Sequence, residues 1–269
     1  MSQTTAGEQS APDAPYYLSS GEEERIFAQC HAQKLAVMLK GPTGCGKTRF
    51  VEHMAARLGL PLVTISCHDD LTASDLIGRY LIRHDGTAWQ DGPLTRAVRE
   101  GAVCYLDEIV EARQDTVVVL HSLTDHRRLL PIDKTGELLV ARASFQLVIS
   151  YNPGYQRMLK DLKPSTRQRF VAIDFDFLPP EREARVVARE SGIDAAGART
   201  LVMLAQQLRA LRERGLAEVP STRLLVATAR LIASGISPRE GCYAGLIAPL
   251  SDDPTLVAAM RDLARAAFV

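Results

Sequence analysis

Eight consecutive residues, Gly41-Pro42-Thr43-Gly44-Cys45-Gly46-Lys47-Thr48, have the spacing G-x-x-x-x-G-K-[ST] and a composition suited to gripping phosphate. Glycines let backbone N–H groups approach phosphate oxygens, and a helix beginning behind the loop adds its partial positive charge. Lys47 would then reach the β- and γ-phosphates of a nucleoside triphosphate, and Thr48 would ligate Mg²⁺. Cys45, inside the loop, reads as a small inert filler. A second group, Cys104-Tyr105-Leu106-Asp107-Glu108, ends an apolar run with two carboxylates. Behind a phosphate loop this pattern puts Asp107 in the Mg²⁺ shell and Glu108 beside the water that attacks the γ-phosphate. A kinase would activate an acceptor hydroxyl and need not carry this glutamate, so hydrolysis is favoured over transfer.

Other polar positions keep two readings open. Asn152, heading Asn152-Pro153-Gly154, would sit beside the γ-phosphate if the strand before it lies between the first and third strands of the sheet; alone, Asn-Pro is a turn signal. Arg167 and Arg169 fall on a short helix expected over 165–169, and Arg223 opens a helix behind Ser221-Thr222. Arginines at helix starts are more often solvated than functional.

The elements that must position these residues follow from periodicity. Apolar runs of strand length at 35–39, 61–66, 103–106, 145–151 and 171–175 alternate with helical patterns near 21–33, 48–58, 94–100, 116–123 and 165–169. Such alternation implies a parallel sheet covered on both faces, an αβα core. Two short hairpins interrupt it. One spans Tyr80–Trp89 around Asp85-Gly86, setting Ile82 opposite Trp89 and Arg83 opposite Ala88; the other spans Leu129–Val140 around Lys134-Thr135-Gly136. On spacing alone either could be an ordinary surface hairpin. Beyond Pro179-Pro180 only helical periodicities remain, punctuated by Gly192, Gly215, Pro220, Gly235, Pro238 and Pro254. The expected organisation is a disordered tail over 1–15, an α/β core over 16–177 and an all-α lid over 178–269, with nucleotide between core and lid.

Composition narrows the function classes. A chain of 269 residues with 46% hydrophobic and 24% charged residues can bury a real core. Thirty-two basic residues balance thirty-two acidic ones, so no positive field recommends nucleic acid as a partner. No apolar run reaches the roughly 18 residues of a membrane span, and 1–10 lacks the basic flank and apolar centre of a signal peptide. Five scattered cysteines without a C-x-x-C pair argue against disulfides and zinc, so a cytoplasmic protein without membrane insertion is expected.

Together the blocks at 41–50 (GPTGCGKTRF), 67–80 (CHDDLTASDLIGRY), 104–111 (CYLDEIVE), 147–155 (LVISYNPGY) and 162–170 (LKPSTRQRF) resemble the MoxR branch of AAA+ ATPases, narrowing to its CbbQ/NorQ group. The resemblance implies ATP and Mg²⁺ as ligands and a ring-shaped homo-oligomer, a hexamer. It implies Asn152 as sensor 1, Arg169 as the arginine finger with Arg167 a second candidate, and Arg223 as sensor 2. The two hairpins would be the helix-2 insert and the pre-sensor-1 hairpin, pointing into a central pore. Relatives of the CbbQ kind act with a von Willebrand factor A domain adaptor to reactivate inhibited Rubisco; those of the NorQ kind support nitric oxide reductase maturation. The adaptor's D-x-S-x-S metal motif is absent from this chain, so the adaptor would be a separate polypeptide. Rubisco is the client expected here, nitric oxide reductase the alternative, and a nucleic-acid motor the rival of another class.

Overall fold

The computed structural model describes residues 15–84, 86–153, 162–211, 216 and 218–268. The expected tail, apart from Pro15, lies outside them, as do Asp85, Gly154, Tyr155 and Gly215. Two compact units are present: residues 1–40 with 47–174, and residues 41–46 with 175–269.

The first unit is built on five parallel strands. In chain order its elements are α1 (Glu23–Ala32), β1 (Val37–Lys40), α2 (Lys47–Leu58), β2 (Leu62–Ser66), α3 (Ala73–Ile77), β3 (Gly78–Arg83), β4 (Gly86–Asp91), α4 (Pro93–Glu100), β5 (Val103–Asp107), α5 (Gln114–Val118), α6 (His121–Thr124), β6 (Leu129–Ile132), β7 (Glu137–Val140), β8 (Gln146–Tyr151), α7 (Pro164–Arg167) and β9 (Val171–Asp174). The sheet order is β2-β5-β8-β1-β9, so β8 lies between β1 and β5. Every residue of the central strand β8 is buried, which is why it reads as an unbroken apolar run. The register pairs Lys40 with Tyr151 and Leu106 with Ile149. The carboxyl ends of β1, β5 and β8 therefore finish at one edge, where open α/β sheets bind ligands.

Local chemistry sets the helix limits. Thr72 and Asp75 form a reciprocal capping box that starts α3, and α4 runs from Pro93 to a left-handed Gly101 with φ 73°. The single helix expected over 116–123 is instead two short ones, α5 and α6. The β-branched run Thr116-Val117-Val118-Val119 opposes continuous helix, and α5 ends at Val118. The helix expected over 165–169 is one turn, α7, so Arg167 is helical while Arg169 lies in the turn beyond.

Both hairpins are present, with one correction. In β3–β4, Tyr80 faces Trp89, Leu81 faces Ala88, Ile82 faces Thr87 and Arg83 faces Gly86, so Gly86 belongs to the strand and the expected pairings of Ile82 with Trp89 and Arg83 with Ala88 do not form. Gly86 continues the strand at φ 133°, and the observed register brings the Tyr80 and Trp89 rings edge to face at 5.2 Å. In β6–β7 the connection is 133–136, with Gly136 left-handed at φ 70°.

The second unit is helical from Pro180 onward: α8 (Pro180–Ser191), α9 (Ala195–Ala210), α10 (Thr222–Ala233), α11 (Pro238–Cys242), a π-helical turn (Tyr243–Ile247) and α12 (Pro254–Ala267). Asp194, Ser221, Ser237 and Asp253 each cap a helix start through the side chain, satisfying N–H groups that the first turn leaves unpaired. Its core joins Leu201, Val202, Leu208, Leu225, Leu246 and Met260. Among the described residues no helix is long and apolar enough to cross a membrane.

Candidate active site

The glycine-rich loop joins β1 to α2. Lys47 is buried at the first position of α2, Thr48 is half-buried, and no acidic residue occupies the first turn. The positive end of a twelve-residue helix is thus left unneutralised at the loop. Gly44 is left-handed at φ 70°, and a Cβ there would stand 2.5 Å from the Ser221 Cβ, so this position tolerates no side chain. A Cβ on Gly41 would likewise lie 2.3 Å from the Phe175 carbonyl oxygen. Pro42, Cys45 and Gly46 are half-buried, and Thr43 is exposed.

At the end of β5 the Asp107 carboxylate is held by hydroxyls. Tyr105 donates to Oδ1 at 2.7 Å, and Ser150, from β8, donates to the same oxygen at 2.5 Å. Thr48 reaches Oδ2 at 3.4 Å and stands 3.5 Å from the Tyr105 hydroxyl. Burial, and then the Asp107 charge, push the Tyr105 phenol above its ordinary range, so it stays a protonated donor. The same two causes, with Glu108 adding to them, push the nearby Cys67 thiol up to about 12, which keeps it neutral and inert.

Glu108 follows with φ 55° and ψ 48°, in the left-handed region that non-glycine residues seldom occupy. Its N–H donates to the Ser150 hydroxyl at 3.2 Å, and its carbonyl accepts from Glu111 N–H at 2.9 Å in a 3₁₀ turn over Ile109–Glu111. The turn bends the chain sharply away and leaves the Glu108 side chain exposed.

Asn152, half-buried, directly follows β8, the strand whose position between β1 and β5 was the condition for its reading. Arg167 donates to the Tyr151 hydroxyl at 3.3 Å. Arg169 is exposed; burial, then the charges of Arg169 and Lys163, lower the pKa of His121, whose Nε2 lies 2.9 Å from the Thr166 hydroxyl. Arg223 is exposed in the first turn of α10. The structure thus gathers Thr48, Asp107 and the Glu108 backbone into one hydrogen-bonded group. Arg169, in the same unit, makes no hydrogen bond to that group among the described residues.

Tyr105 and Ser150 belong to the group although sequence reasoning passed over them. Ser150 carried a usable signal: it is a hydroxyl within a wholly buried strand, and a buried hydroxyl must find a partner.

The oxygens of Thr48 and Asp107 are hard donors, 3.4 Å apart, of the kind that suits Mg²⁺. No cage of three or more His, Cys, Asp or Glu side chains exists among the described residues. The remaining Mg²⁺ ligands would then be water and substrate phosphate, as is usual for that ion.

Comparison with known proteins agrees with this arrangement. The family described as AAA domain (dynein-related subfamily) matches residues 36–170, and the CbbQ/NirQ/NorQ C-terminal family matches residues 183–267. The denitrification regulatory protein NirQ of Stutzerimonas stutzeri is 61% identical over 97% of this chain and 94% of its own length. NorQ of Paracoccus denitrificans is 59% identical over 96% of each chain. CbbQ of Hydrogenophilus thermoluteolus is 57% identical over 94% of this chain and 95% of its own. A solved Thermotoga maritima RuvB mutant shares the fold, with a TM-score of 0.56 at 14% identity over 90% of this chain and 68% of that one. With a phosphate loop, an Asp-Glu strand end and both family regions in one polypeptide, the chain belongs to the CbbQ/NirQ/NorQ family of AAA+ ATPases, enzymes that hydrolyse ATP.

Proposed function

We propose that this ATPase works as a ring, a hexamer of identical chains, that spends ATP hydrolysis on remodelling a client protein. The observation that carries the reading is the junction of β1, β5 and β8, where Thr48 meets Asp107 and the backbone turns at Glu108 to present its carboxylate. Residues 41–48 would hold the triphosphate, with Lys47 on the β- and γ-phosphates. Thr48 and Asp107 would hold Mg²⁺, which supplies charge neutralisation on the phosphate oxygens. Glu108 would accept a proton from the attacking water, Asn152 would orient that water, and Arg223 would sense the bound nucleotide. Arg169, exposed on the surface, is assigned to the neighbouring subunit's nucleotide, with Arg167 as second candidate; the hydrogen bond of Arg167 to Tyr151 favours Arg169. An arginine finger is worth about 10³ to 10⁵ in turnover, roughly 4 to 7 kcal/mol of barrier.

The test is a pair of variants read in two assays. Lys47→Ala should lose nucleotide binding, measured by titration with a fluorescent ATP analogue. Glu108→Gln should bind normally and release no phosphate, since it acts on water and not on the ground-state phosphates. Wild-type phosphate release by Glu108→Gln would remove it as the base.

For the client, we propose inhibited Rubisco, reached through a separate adaptor with a von Willebrand factor A domain. A second reading, maturation of nitric oxide reductase, is supported by relatives as close as CbbQ: NirQ and NorQ at 61% and 59% identity beside 57% for CbbQ. Deleting the gene and assaying Rubisco reactivation beside nitric oxide reduction in the same cells separates the two. A nucleic-acid motor would instead show DNA-stimulated, salt-sensitive ATPase activity, which the balanced charge argues against.

A further inference from the structure

A single arginine stands between the two hairpins of the first unit. Arg99, in the last turn of α4, donates Nη1 to Glu137 Oε1 at 2.6 Å and Nη2 to Glu137 Oε2 at 2.5 Å. Its third nitrogen, Nε, donates to Asp91 Oδ2 at 2.7 Å. Glu137 opens β7 in the second hairpin, and Asp91 closes β4 in the first. The other oxygen of Asp91 accepts from the indole N–H of Trp89 at 2.7 Å. An unbroken line of hydrogen bonds therefore runs from Trp89 through Asp91 and Arg99 to Glu137. A second crossing lies near the tip of the β6–β7 hairpin, where the Tyr80 hydroxyl donates to the Lys134 carbonyl at 3.2 Å.

The hairpins need such ties. Each is a two-stranded sheet of its own, and such ribbons are marginal without further packing. On the first hairpin Ile82 is 93% exposed; the second seats Leu130 and Ile132, both wholly buried, but leaves Leu138 and Val140 58% and 64% exposed on its outer face. One exposed ion pair contributes little, about 0 to 1 kcal/mol. Arg99 differs because all three of its guanidinium nitrogens are engaged: one carboxylate is gripped at two points and a second at one, a geometry that lysine cannot reproduce.

We propose that Arg99 is a positioning residue that locks the two hairpins to α4 and to each other, so that they move as one body when the client is engaged. The lock itself is independent of the client; its consequence for work rests on the remodelling function proposed above.

Trp89 is the only tryptophan of the chain, so its fluorescence reports the first hairpin alone. The experiment substitutes Glu137→Gln, on the other hairpin, and Arg99→Lys, in the full-length protein. Both variants should raise amide exchange across 78–91 and 129–140 by about tenfold and lower the Trp89 fluorescence anisotropy. The double variant should add nothing beyond Arg99→Lys, because the fork on Glu137 is already lost in that single variant. Basal phosphate release and the global melting temperature should stay near wild type, which separates loss of the lock from loss of fold. ATP-driven client remodelling should fall at least tenfold. Unchanged exchange and anisotropy on the first hairpin in Glu137→Gln would overturn the lock, whatever the client. Loosened hairpins with wild-type remodelling would overturn its role in the work. Should the wild-type protein remodel neither Rubisco nor nitric oxide reductase, the client reading fails, while exchange and anisotropy still decide the lock.

Discussion

The Arg209 guanidinium meets the Glu183 carboxylate in two parallel hydrogen bonds, at 2.8 and 2.7 Å, and Glu183 is wholly buried. The pair is fully occupied on its other sides. Thr222 donates to Glu183 at 2.7 Å, Arg209 Nε donates to the Pro220 carbonyl at 2.9 Å, and the Phe177 ring lies 3.7 Å from the guanidinium carbon. Two of these partners, Pro220 and Thr222, flank the start of α10, the helix that carries Arg223, so the pair fixes where that helix begins. Removing one partner strands a buried charge, at a cost of about 3 to 5 kcal/mol. Arg209→Met should shift the urea unfolding transition of the C-terminal unit by that amount. A loss below about 1 kcal/mol would mean that water takes over the partner's role.

Ser150 tests the hydroxyl cluster around Asp107. Ser150→Ala removes a donor to Asp107 and the acceptor of the Glu108 N–H, without touching Lys47 or the loop at 41–46. Turnover should drop about tenfold or more, with nucleotide affinity within about twofold of wild type. Steady-state kinetics beside a binding titration measure both. An equal loss in both would assign Ser150 to packing.

Arg169 should act across a subunit boundary. An Arg169→Ala protein and a Lys47→Ala protein, each inactive alone, should regain phosphate release when mixed. Mixed rings contain interfaces where an intact loop meets an intact arginine. No recovery, with mixed assembly demonstrated by native mass spectrometry, rejects the trans role.

Glu23 makes stability pH-dependent. Its carboxylate accepts from the N–H groups of Ser20 and Gly21, at 2.5 and 2.7 Å, and from the hydroxyls of Tyr17, Ser19 and Ser20. Burial works to raise its pKa, but these bonds outweigh it and hold the group at about 2, against its usual 4.5. Because the folded value is the lower one, the stabilisation is complete above about pH 4.5 and is lost as pH falls toward 2. Glu23→Gln should be less stable at neutral pH and show a shallower decline through that window, read from melting temperatures. Parallel curves would place the acid sensitivity in other carboxylates.

Much of this architecture was legible beforehand because its signals are local. Apolar runs bounded by turn residues marked all five core strands, and Gly192 and the prolines at 180, 238 and 254 marked helix limits. The phosphate loop and the Asp107-Glu108 pair were legible for the same reason. What escaped depends on contacts distant in sequence. Tyr105 and Ser150 lie 45 residues apart and matter only because β5 pairs with β8. The β3–β4 register sets Tyr80 edge to face with Trp89, a pairing that turn chemistry alone does not encode. The Arg99 contacts likewise join residues from two hairpins and a helix.

Among the described residues three non-glycine positions hold a left-handed backbone: Lys34, Glu108 and Arg128, at φ 59°, 55° and 51°. A thermostabilisation scan would treat them alike, since relaxing such a residue to glycine removes roughly 1 kcal/mol of steric cost. Lys34, exposed just past the end of α1, is a fair target for that exchange. At Glu108 the same gain in durability would delete the carboxylate that the proposed hydrolysis requires, so the most comfortable residue for the fold is one that this mechanism cannot use.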